Sequence, residues 1–131
     1  MSFFSRIKNS FTSKLDLNEN WNIPDSTSEL EKLFDSNSGL NLIYKHSNTC
    51  MTCIFSKQRV EELMSINKKI GSFHFIEVRM SRPLSDFVSE KTGIKHESPQ
   101  AILLQNGDVI WHASHSSIVI DDILNAMKEI N

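Results

Sequence analysis

The position of its two cysteines constrains the fold of this chain more than any other feature of its sequence. Cys50 and Cys53 are the only cysteines among 131 residues, and two residues separate them. A β-prone segment at 40–44 precedes them, and apolar residues at helical spacing follow as far as about residue 67. The pair therefore falls where a strand passes into a helix. At such a junction a Cys-x-x-Cys motif favours thiol redox chemistry, although zinc sites use the same spacing.

Strand and helix patterns alternate along the first two thirds of the chain. The apolar segment 21–23 is ended by Pro24, as expected of a first strand at a sheet edge. Ser26 and Glu29 form a capping-box pattern, which predicts a helix that Gly39 ends. The further predicted elements are a strand at 40–44, a helix at 50–67, a strand at 73–78 and a helix that begins after Ser81 and ends at Gly93.

The last third of the chain predicts a hairpin and a final helix. Asn106-Gly107 favours a tight primed turn between strands at 101–104 and 109–111, because both residues accept positive φ angles. Alternation would place Val109, Trp111 and Ala113 on one face of the second strand. Apolar residues between 120 and 130 predict an amphipathic helix. Parallel crossovers followed by a hairpin predict an α/β fold with a mixed central β-sheet and helices on both faces.

Residues 21–131 are predicted to form one domain, and residues 1–20 an N-terminal arm. A domain of this length is long enough to bury a substantial core. In the arm, Phe3, Phe4, Ile7 and Phe11 lie near helical spacing, so we expect it to be helical or flexible. Its basic face is small for a segment that binds a membrane surface.

The charge balance argues against nucleic acid as a partner, and the lengths of the apolar runs argue against a membrane. Fourteen basic residues face 16 acidic ones, without the positive field that binding to a phosphate backbone requires. No apolar run is long enough to span a bilayer, and the N-terminus does not resemble a signal peptide. We therefore expect a cytoplasmic protein. In that reducing compartment a close cysteine pair is more often catalytic, redox-sensing or metal-binding than a structural disulfide.

The predicted junction gives the two thiols different roles. Cys50, at the first turn of a helix, lies near free backbone N–H groups and the positive end of the helix dipole, which favour its thiolate. Cys50 is therefore the predicted nucleophile. Cys53 lies nearly one turn further in on the same face, where it can attack a mixed disulfide on Cys50 and resolve it.

The chain resembles the YtxJ-like monothiol bacilliredoxins of the thioredoxin superfamily between about residues 25 and 125. The strings that carry this resemblance are Lys45-His-Ser-Asn-Thr-Cys50, Arg82-Pro-Leu84, Lys95-His-Glu-Ser-Pro-Gln100, Asn106-Gly107 and Trp111-His-Ala-Ser-His115. The resemblance implies a thioredoxin-like fold and thiol-disulfide exchange on proteins that carry a mixed disulfide with a low-molecular-weight thiol. That thiol, bacillithiol or another, is expected as a co-substrate, and no bound cofactor or metal is expected.

The chain departs from this family at one position. The family commonly reads Thr-Cys-Pro-Ile-Ser, whereas here Thr49-Cys50 is followed by Met51, Thr52 and Cys53. A thiol therefore stands where the family has a serine. This difference favours a dithiol mechanism, in which the mixed disulfide is resolved within the protein.

A second predicted part of the site is the segment before the hairpin. In thioredoxin-like folds a cis-proline loop faces the active cysteine at this place, so the Ser98–Pro99 bond is expected to be cis. A proline also lacks the N–H that would pair with another strand, which leaves the preceding backbone free for an extended ligand. We expect Ser98 and Pro99 to bind substrate together with Thr49, Met51 and Thr52.

Two functions of other classes use the same residues. One is a metal or iron-sulfur protein that holds the ion through the two sulfurs and an external thiol or second subunit. The other is a thioredoxin-like adaptor whose cysteines do not turn over.

Other polar residues near the motif have simpler interpretations. His46 is either a loop histidine bonded to backbone, a group that stabilises the Cys50 thiolate or a third ligand. His112 and His115 are expected at the surface or hydrogen-bonded rather than in a zinc site. Glu77, at the end of a strand, is expected to face solvent.

Overall fold

The computed structural model describes residues 17–130, so most of the predicted arm, residues 1–16, lies outside the described residues. The strands are β1 (Trp21–Asn22), β2 (Leu40–His46), β3 (Ser72–Glu77), β4 (Gln100–Gln105) and β5 (Asp108–Ser114). The helices are α1 (Thr27–Glu31), α2 (Met51–Ile66), α3 (Arg82–Thr92) and α4 (Ile120–Lys128), with short 3-10 turns at Lys32–Phe34 and His115–Ser117.

The five strands form one mixed sheet in the order β1-β3-β2-β4-β5. β1, β3 and β2 are parallel, and β4 runs antiparallel to both β2 and β5. β1 is an edge strand, as Pro24 predicted. The crossover helices and the closing hairpin give the α/β fold with a mixed sheet that the sequence predicted.

Helices cover both faces of the sheet, and each face has its own apolar core. α2 and α4 cover one face, whose core includes Tyr44, Phe75 and Leu103. α1 and α3 cover the other, whose core includes Ile43, Ile76 and Ile102. Successive residues of one strand supply opposite cores because side chains alternate across a sheet. None of the described helices is long and apolar enough to cross a membrane.

The hairpin between β4 and β5 forms as predicted but contains a bulge. Asn106 and Gly107 have φ angles of 50° and 88°, as a tight primed turn requires. The pairing shifts between Leu103 and Leu104. Trp111 consequently packs against the core under α2, whereas Val109 packs against the core under α1 and α3. The prediction that these two residues share a face is therefore wrong, because a bulge interrupts simple alternation.

Two predicted helix ends also differ from the structure. The helix that Ser26 caps ends in the turn at Lys32–Phe34, well before Gly39. The Ser38 hydroxyl donates to the carbonyls of Leu33 and Asp35 at 2.8 and 2.7 Å, and such local bonds compete with helix formation. Ser81 precedes α3 as predicted, but its side chain forms no capping hydrogen bond.

A fully buried lysine connects β2 to α3. Lys45 Nζ donates to the Ser85 carbonyl and to Ser89 Oγ, both at 3.0 Å. Ser85 Oγ is in turn 2.7 Å from His96 Nδ1. Burial lowers the pKa of Lys45 to about 8, because a buried ammonium group loses its hydration.

This lysine predicts a pH-dependent stability. The folded chain loses the Lys45 proton near pH 8, whereas the unfolded chain keeps it to about pH 10.5. Between these values the unfolded state binds more protons, so the Lys45 contribution to the free energy of unfolding rises with pH by about 3 kcal/mol. Relative to wild type, Lys45→Met should therefore lose that much stability between pH 8 and pH 10.5 in urea unfolding. Lys69→Met, an exposed control, should show no such trend.

Gly107 predicts a second effect on stability. A Cβ at this position would collide with the backbone of Phe34, whereas a Cβ at Gly93 would meet nothing within 4 Å. Both glycines have positive φ angles. Gly107→Ala should lower the free energy of unfolding by about 3 kcal/mol and Gly93→Ala by about 1 kcal/mol. Equal losses in chemical denaturation would show that backbone strain, rather than the collision, sets the cost.

Candidate active site

Cys50 is the N-cap residue of α2, at the end of a short loop that follows β2. Its backbone is extended, with φ −112° and ψ 121°, and its N–H donates to the Ser47 carbonyl at 3.3 Å. Cys50 is partly exposed, whereas Cys53 is fully buried, and neither forms a disulfide. The two sulfur atoms are therefore about one helical turn apart, and solvent reaches that of Cys50 but not that of Cys53.

The start of α2 favours the thiolate of Cys50. The Cys50 side chain forms no capping hydrogen bond of normal geometry, yet the backbone N–H of Cys53 is the main cause of a lowered Cys50 pKa. Thr52 contributes through its backbone and side chain. These groups belong to the first helical turn, whose N–H groups favour a negative charge at its start; the Cys53 N–H also donates to the Cys50 carbonyl at 3.2 Å.

The surroundings of Cys53 have the opposite effect on its thiol. Burial raises the pKa of Cys53 to about 12, and the negative charges of Cys50 and Glu77 add to this shift. The Ser47 N–H donates to Cys53 Sγ at 3.4 Å, which opposes it. The buried sulfur is therefore a thiol at neutral pH, with one N–H donor already directed at it.

A buried polar cluster of Tyr44, His46 and Glu77 lies on the same sheet face as Cys53. The Tyr44 hydroxyl donates to the Cys53 carbonyl at 2.9 Å and is 3.1 Å from His46 Nδ1. Because the single hydroxyl proton is directed at the carbonyl, Nδ1 carries the proton that His46 shares with the Tyr44 oxygen. Burial lowers the pKa of His46 to about 4, so its ring is neutral.

The structure excludes one alternative for His46 and contradicts the prediction for Glu77. His46 is the last residue of β2 rather than a loop residue, and it is only 3% exposed. Glu77 is 4% exposed and does not face bulk solvent. It pairs with His46 in the parallel ladder between β2 and β3, and Arg79 N–H donates to its Oε1 at 3.0 Å. β2 extends two residues further toward the cysteine loop than its apolar pattern indicated.

Tyr44 is a residue of the site that was not predicted, although the sequence held a signal for it. Leu42, Tyr44 and His46 alternate along β2, so they point to one face of the sheet. Once a strand leads into the cysteine helix, that alternation places the tyrosine and histidine beneath the helix. In the sequence pattern Tyr44 contributes only to the β-prone segment 40–44.

The proline loop lies at the same end of the sheet as Cys50. The Ser98–Pro99 bond is cis, as was expected, and the Pro99 carbonyl accepts from the His115 N–H at 2.9 Å. Gln100, directly after it, pairs with Lys45 near the end of β2. The register thus brings the loop and the cysteine motif to one edge of the sheet.

The other predicted substrate-binding residues surround Cys50 in sequence and are accessible. Thr49 is exposed, and its Oγ1 is 3.2 Å from Ser47 Oγ. Met51 is 67% exposed, Thr52 is partly exposed, and Phe55 one turn later is 53% exposed. An apolar surface therefore adjoins the reactive end of α2.

The two C-terminal histidines are exposed, as predicted. His115 Nδ1 lies 3.8 Å from a Glu97 oxygen, and His112 is on the exposed side of β5. Within residues 17–130, no three histidine, cysteine or acidic side chains are grouped so as to hold a metal ion.

This chain is similar to one protein family in sequence and to several solved structures in fold. The family described as monothiol bacilliredoxin BrxC matches residues 24–123. A solved structure with a thioredoxin fold is 27% identical, with a TM-score of 0.73, over 82% of this chain and 94% of that one. A Malassezia sympodialis thioredoxin is 13% identical, with a TM-score of 0.63, over 86% and 91%. A Fasciola hepatica thioredoxin is 14% identical, with a TM-score of 0.62, over 83% and 98%. The last two likenesses show the fold alone.

The contrast between the two sulfurs predicts selective alkylation. With the protein folded and reduced, iodoacetamide should label Cys50 at least about tenfold faster than Cys53 at pH 7, because Cys50 is accessible and more readily ionised. Peptide mass spectrometry over a pH series measures both rates. The midpoint for Cys50 should lie below that of an unstructured cysteine peptide. Equal labelling of the two residues in the folded protein would contradict this assignment.

Proposed function

This chain belongs to the monothiol bacilliredoxin family, and on that premise we propose that it acts on mixed disulfides between proteins and a low-molecular-weight thiol. It is a thiol-disulfide oxidoreductase in which Cys50 is the nucleophile and Cys53 the resolving thiol. One observation carries the proposal. An accessible cysteine with a lowered pKa stands one turn before a buried cysteine with a raised pKa.

The reaction has two exchange steps. The Cys50 thiolate attacks the sulfur of the small thiol, and the protein substrate leaves as a thiolate that takes up a proton. Cys53 then loses its proton and attacks Cys50 Sγ, so that a Cys50–Cys53 disulfide forms and the small thiol leaves. The substrate is reduced by two electrons and the cysteine pair is oxidised by two. An external dithiol or thiol reductant must restore the pair.

Substrate binding is assigned to the surface around Cys50. Thr49, Met51 and Thr52 flank the nucleophile, and Ser98 and Pro99 supply backbone at the neighbouring edge of the sheet. The exposed apolar side chains of Met51 and Phe55 are suited to contact a protein substrate. The small thiol is bacillithiol by the resemblance of the chain to its family, and the protein is assigned to the cytoplasm, where such thiols are kept reduced.

Replacing the buried thiol tests the proposal. Cys53→Ser, treated with bacillithiol disulfide or glutathione disulfide, should keep a mixed disulfide on Cys50 at least about tenfold longer than wild type, because its resolving sulfur is gone. Intact-protein mass spectrometry detects the adduct. Wild type should instead lose the mass of two hydrogens.

Two controls show whether the adduct requires Cys50 and whether Cys53 removes it. Cys50→Ser should form no adduct under the same conditions. If Cys53→Ser also forms none while iodoacetamide still labels its Cys50, the exchange function is refuted. If the wild-type adduct lasts as long as that of Cys53→Ser, the protein works as a monothiol enzyme and Cys53 does not resolve.

A further inference from the structure

The proline loop, residues 93–99, joins α3 to β4 and contains Ser98 and Pro99, which are assigned to substrate binding. Pro99 is buried, and its carbonyl accepts from the His115 N–H at 2.9 Å. Within residues 17–130, Ser98 forms no hydrogen bond with another residue, so its backbone groups are available to a ligand. The position of Ser98 must therefore be set through its neighbours in the loop.

His96, two residues before Ser98, bonds the loop to α3. His96 Nδ1 lies 2.7 Å from Ser85 Oγ, and Ser85 is a fully buried residue of α3. The Ser85 carbonyl in turn accepts from Lys45 Nζ at 3.0 Å, and Lys45 is also fully buried. These three residues therefore connect the loop to β2, the strand that leads to Cys50.

The loop is also held to β2 by a second route. Gln100 pairs with Lys45 in the ladder between β2 and β4, and Gln100 Nε2 donates to the Lys95 carbonyl at 2.9 Å. One route thus runs through the backbone after Ser98, and the other runs through the side chain of His96 before it. Attachments on both sides limit where the Ser98 backbone can lie.

Stability alone does not account for a lysine at the centre of this connection. Burial holds the pKa of Lys45 at about 8, so its side chain is a cation at pH 7. Its acceptors, the Ser85 carbonyl and Ser89 Oγ, are uncharged, and Asp86 pairs with Arg82 at the surface at 2.9 Å. A buried cation without a charged partner is costly, and an apolar side chain of similar volume is often more stable there. Holding the Ser85 carbonyl, and with it the bond to the loop, gives the lysine a function.

We propose that His96 is a positioning residue, which through its bond to Ser85 holds the Ser98 backbone where an extended peptide substrate pairs with it. Lys45 supports this bond from β2. The inference rests on the proposed function and concerns the protein half of the mixed disulfide. A peptide has the N–H and C=O groups that pair with a free backbone segment, whereas a small thiol without peptide bonds has none. His96 should therefore matter for exchange with peptides and not for exchange with small disulfides.

Two disulfides that share the same small thiol test this role. One is an unstructured Gly/Ser/Ala peptide whose single cysteine is joined to mercaptoethanol, and the other is hydroxyethyl disulfide, which contains no peptide. Acid quenching and mass spectrometry give the rate at which each consumes the reduced protein. Each rate is divided by that of free N-acetylcysteine, which removes the intrinsic reactivity of the disulfide. Wild type should prefer the peptide.

Replacing His96 should remove this preference. In His96→Ala the normalised rate with the peptide should fall at least about tenfold, because small displacements of a positioned group can cost up to about 10²-fold. The rate with hydroxyethyl disulfide should stay within about twofold of wild type. Equal loss on both disulfides, no loss on either, or a wild type without preference for the peptide would each overturn the proposal.

Variants of both partners test the bond itself. Ser85→Ala should reduce the peptide preference as His96→Ala does, and the double variant should lose no more than either single one, because both remove one interaction. His96→Asn, whose amide can reach Ser85 from near the position of Nδ1, should restore part of the preference. Additive losses in the double variant would show that the two residues act separately. His112→Ala, an exposed histidine on β5, should behave as wild type.

The reactivity of Cys50 gives a readout that separates loop position from damage to the active site. The causes of the lowered Cys50 pKa lie in the first turn of α2, so iodoacetamide should label Cys50 in His96→Ala as fast as in wild type. A change in this rate that accounts for the loss with the peptide would contradict a role in positioning the loop.

The same measurements distinguish failure of this inference from failure of the proposed function. If wild type exchanges with neither disulfide while iodoacetamide still labels Cys50, the proposed function is refuted and the loop has no substrate to position. If wild type exchanges with both and His96→Ala keeps the wild-type ratio of rates, the proposed function stands and only the role of His96 is wrong.

Discussion

One turn of helix separates two sulfurs in very different surroundings, and the proposed chemistry depends on that separation. α2 begins at the surface, and its following turns cover the core that contains Tyr44 and Phe75. Cys50 therefore keeps access to solvent and lies beside the N–H groups of the first turn, whereas Cys53 is enclosed. The resulting shifts in pKa have opposite signs. A flexible loop with the same Cys-x-x-Cys spacing would not create this difference, because neither sulfur would be held at a helix start or in a core.

The polar groups beneath α2 can be buried because each has a defined hydrogen-bond partner. Tyr44 bonds to the Cys53 carbonyl and to His46, and Glu77 accepts from Arg79 N–H. Satisfied hydrogen bonds offset most of the desolvation cost of burying such groups. The bond from Tyr44 also ties the end of β2 to the first turn of α2. The cluster thus holds Cys53 in position as well as supplying the groups that surround it.

The sequence predicted the strands, helices and turns around this site better than the side-chain environments within it. Alternating strand and helix patterns, the Asn106-Gly107 turn and the Cys-x-x-Cys junction lead to the observed fold and to the exposed and buried order of the cysteines. The environment of Glu77 was not predictable in the same way, because whether a polar residue at a strand end is covered depends on a loop and a helix distant in sequence. The bulge in β5 was not predicted, because it too depends on contacts between distant parts of the chain. Pairing geometry, rather than the pattern of a single strand, decides where Val109 and Trp111 point.

A thiol in place of the family's serine changes the chemistry only if its surroundings allow a sulfur anion to form there. A serine at position 53 would not attack a disulfide. A cysteine with 0% exposure is shut off from external thiols, so the disulfide partner within its reach is the sulfur on Cys50. In the proposed mechanism, burial sets the order of the two steps, since exchange with the substrate occurs at Cys50 before Cys53 has a bond to attack. The Ser47 N–H, which donates to Cys53 Sγ at 3.4 Å, lies on this same inner side of α2, where it would stabilise a thiolate at Cys53.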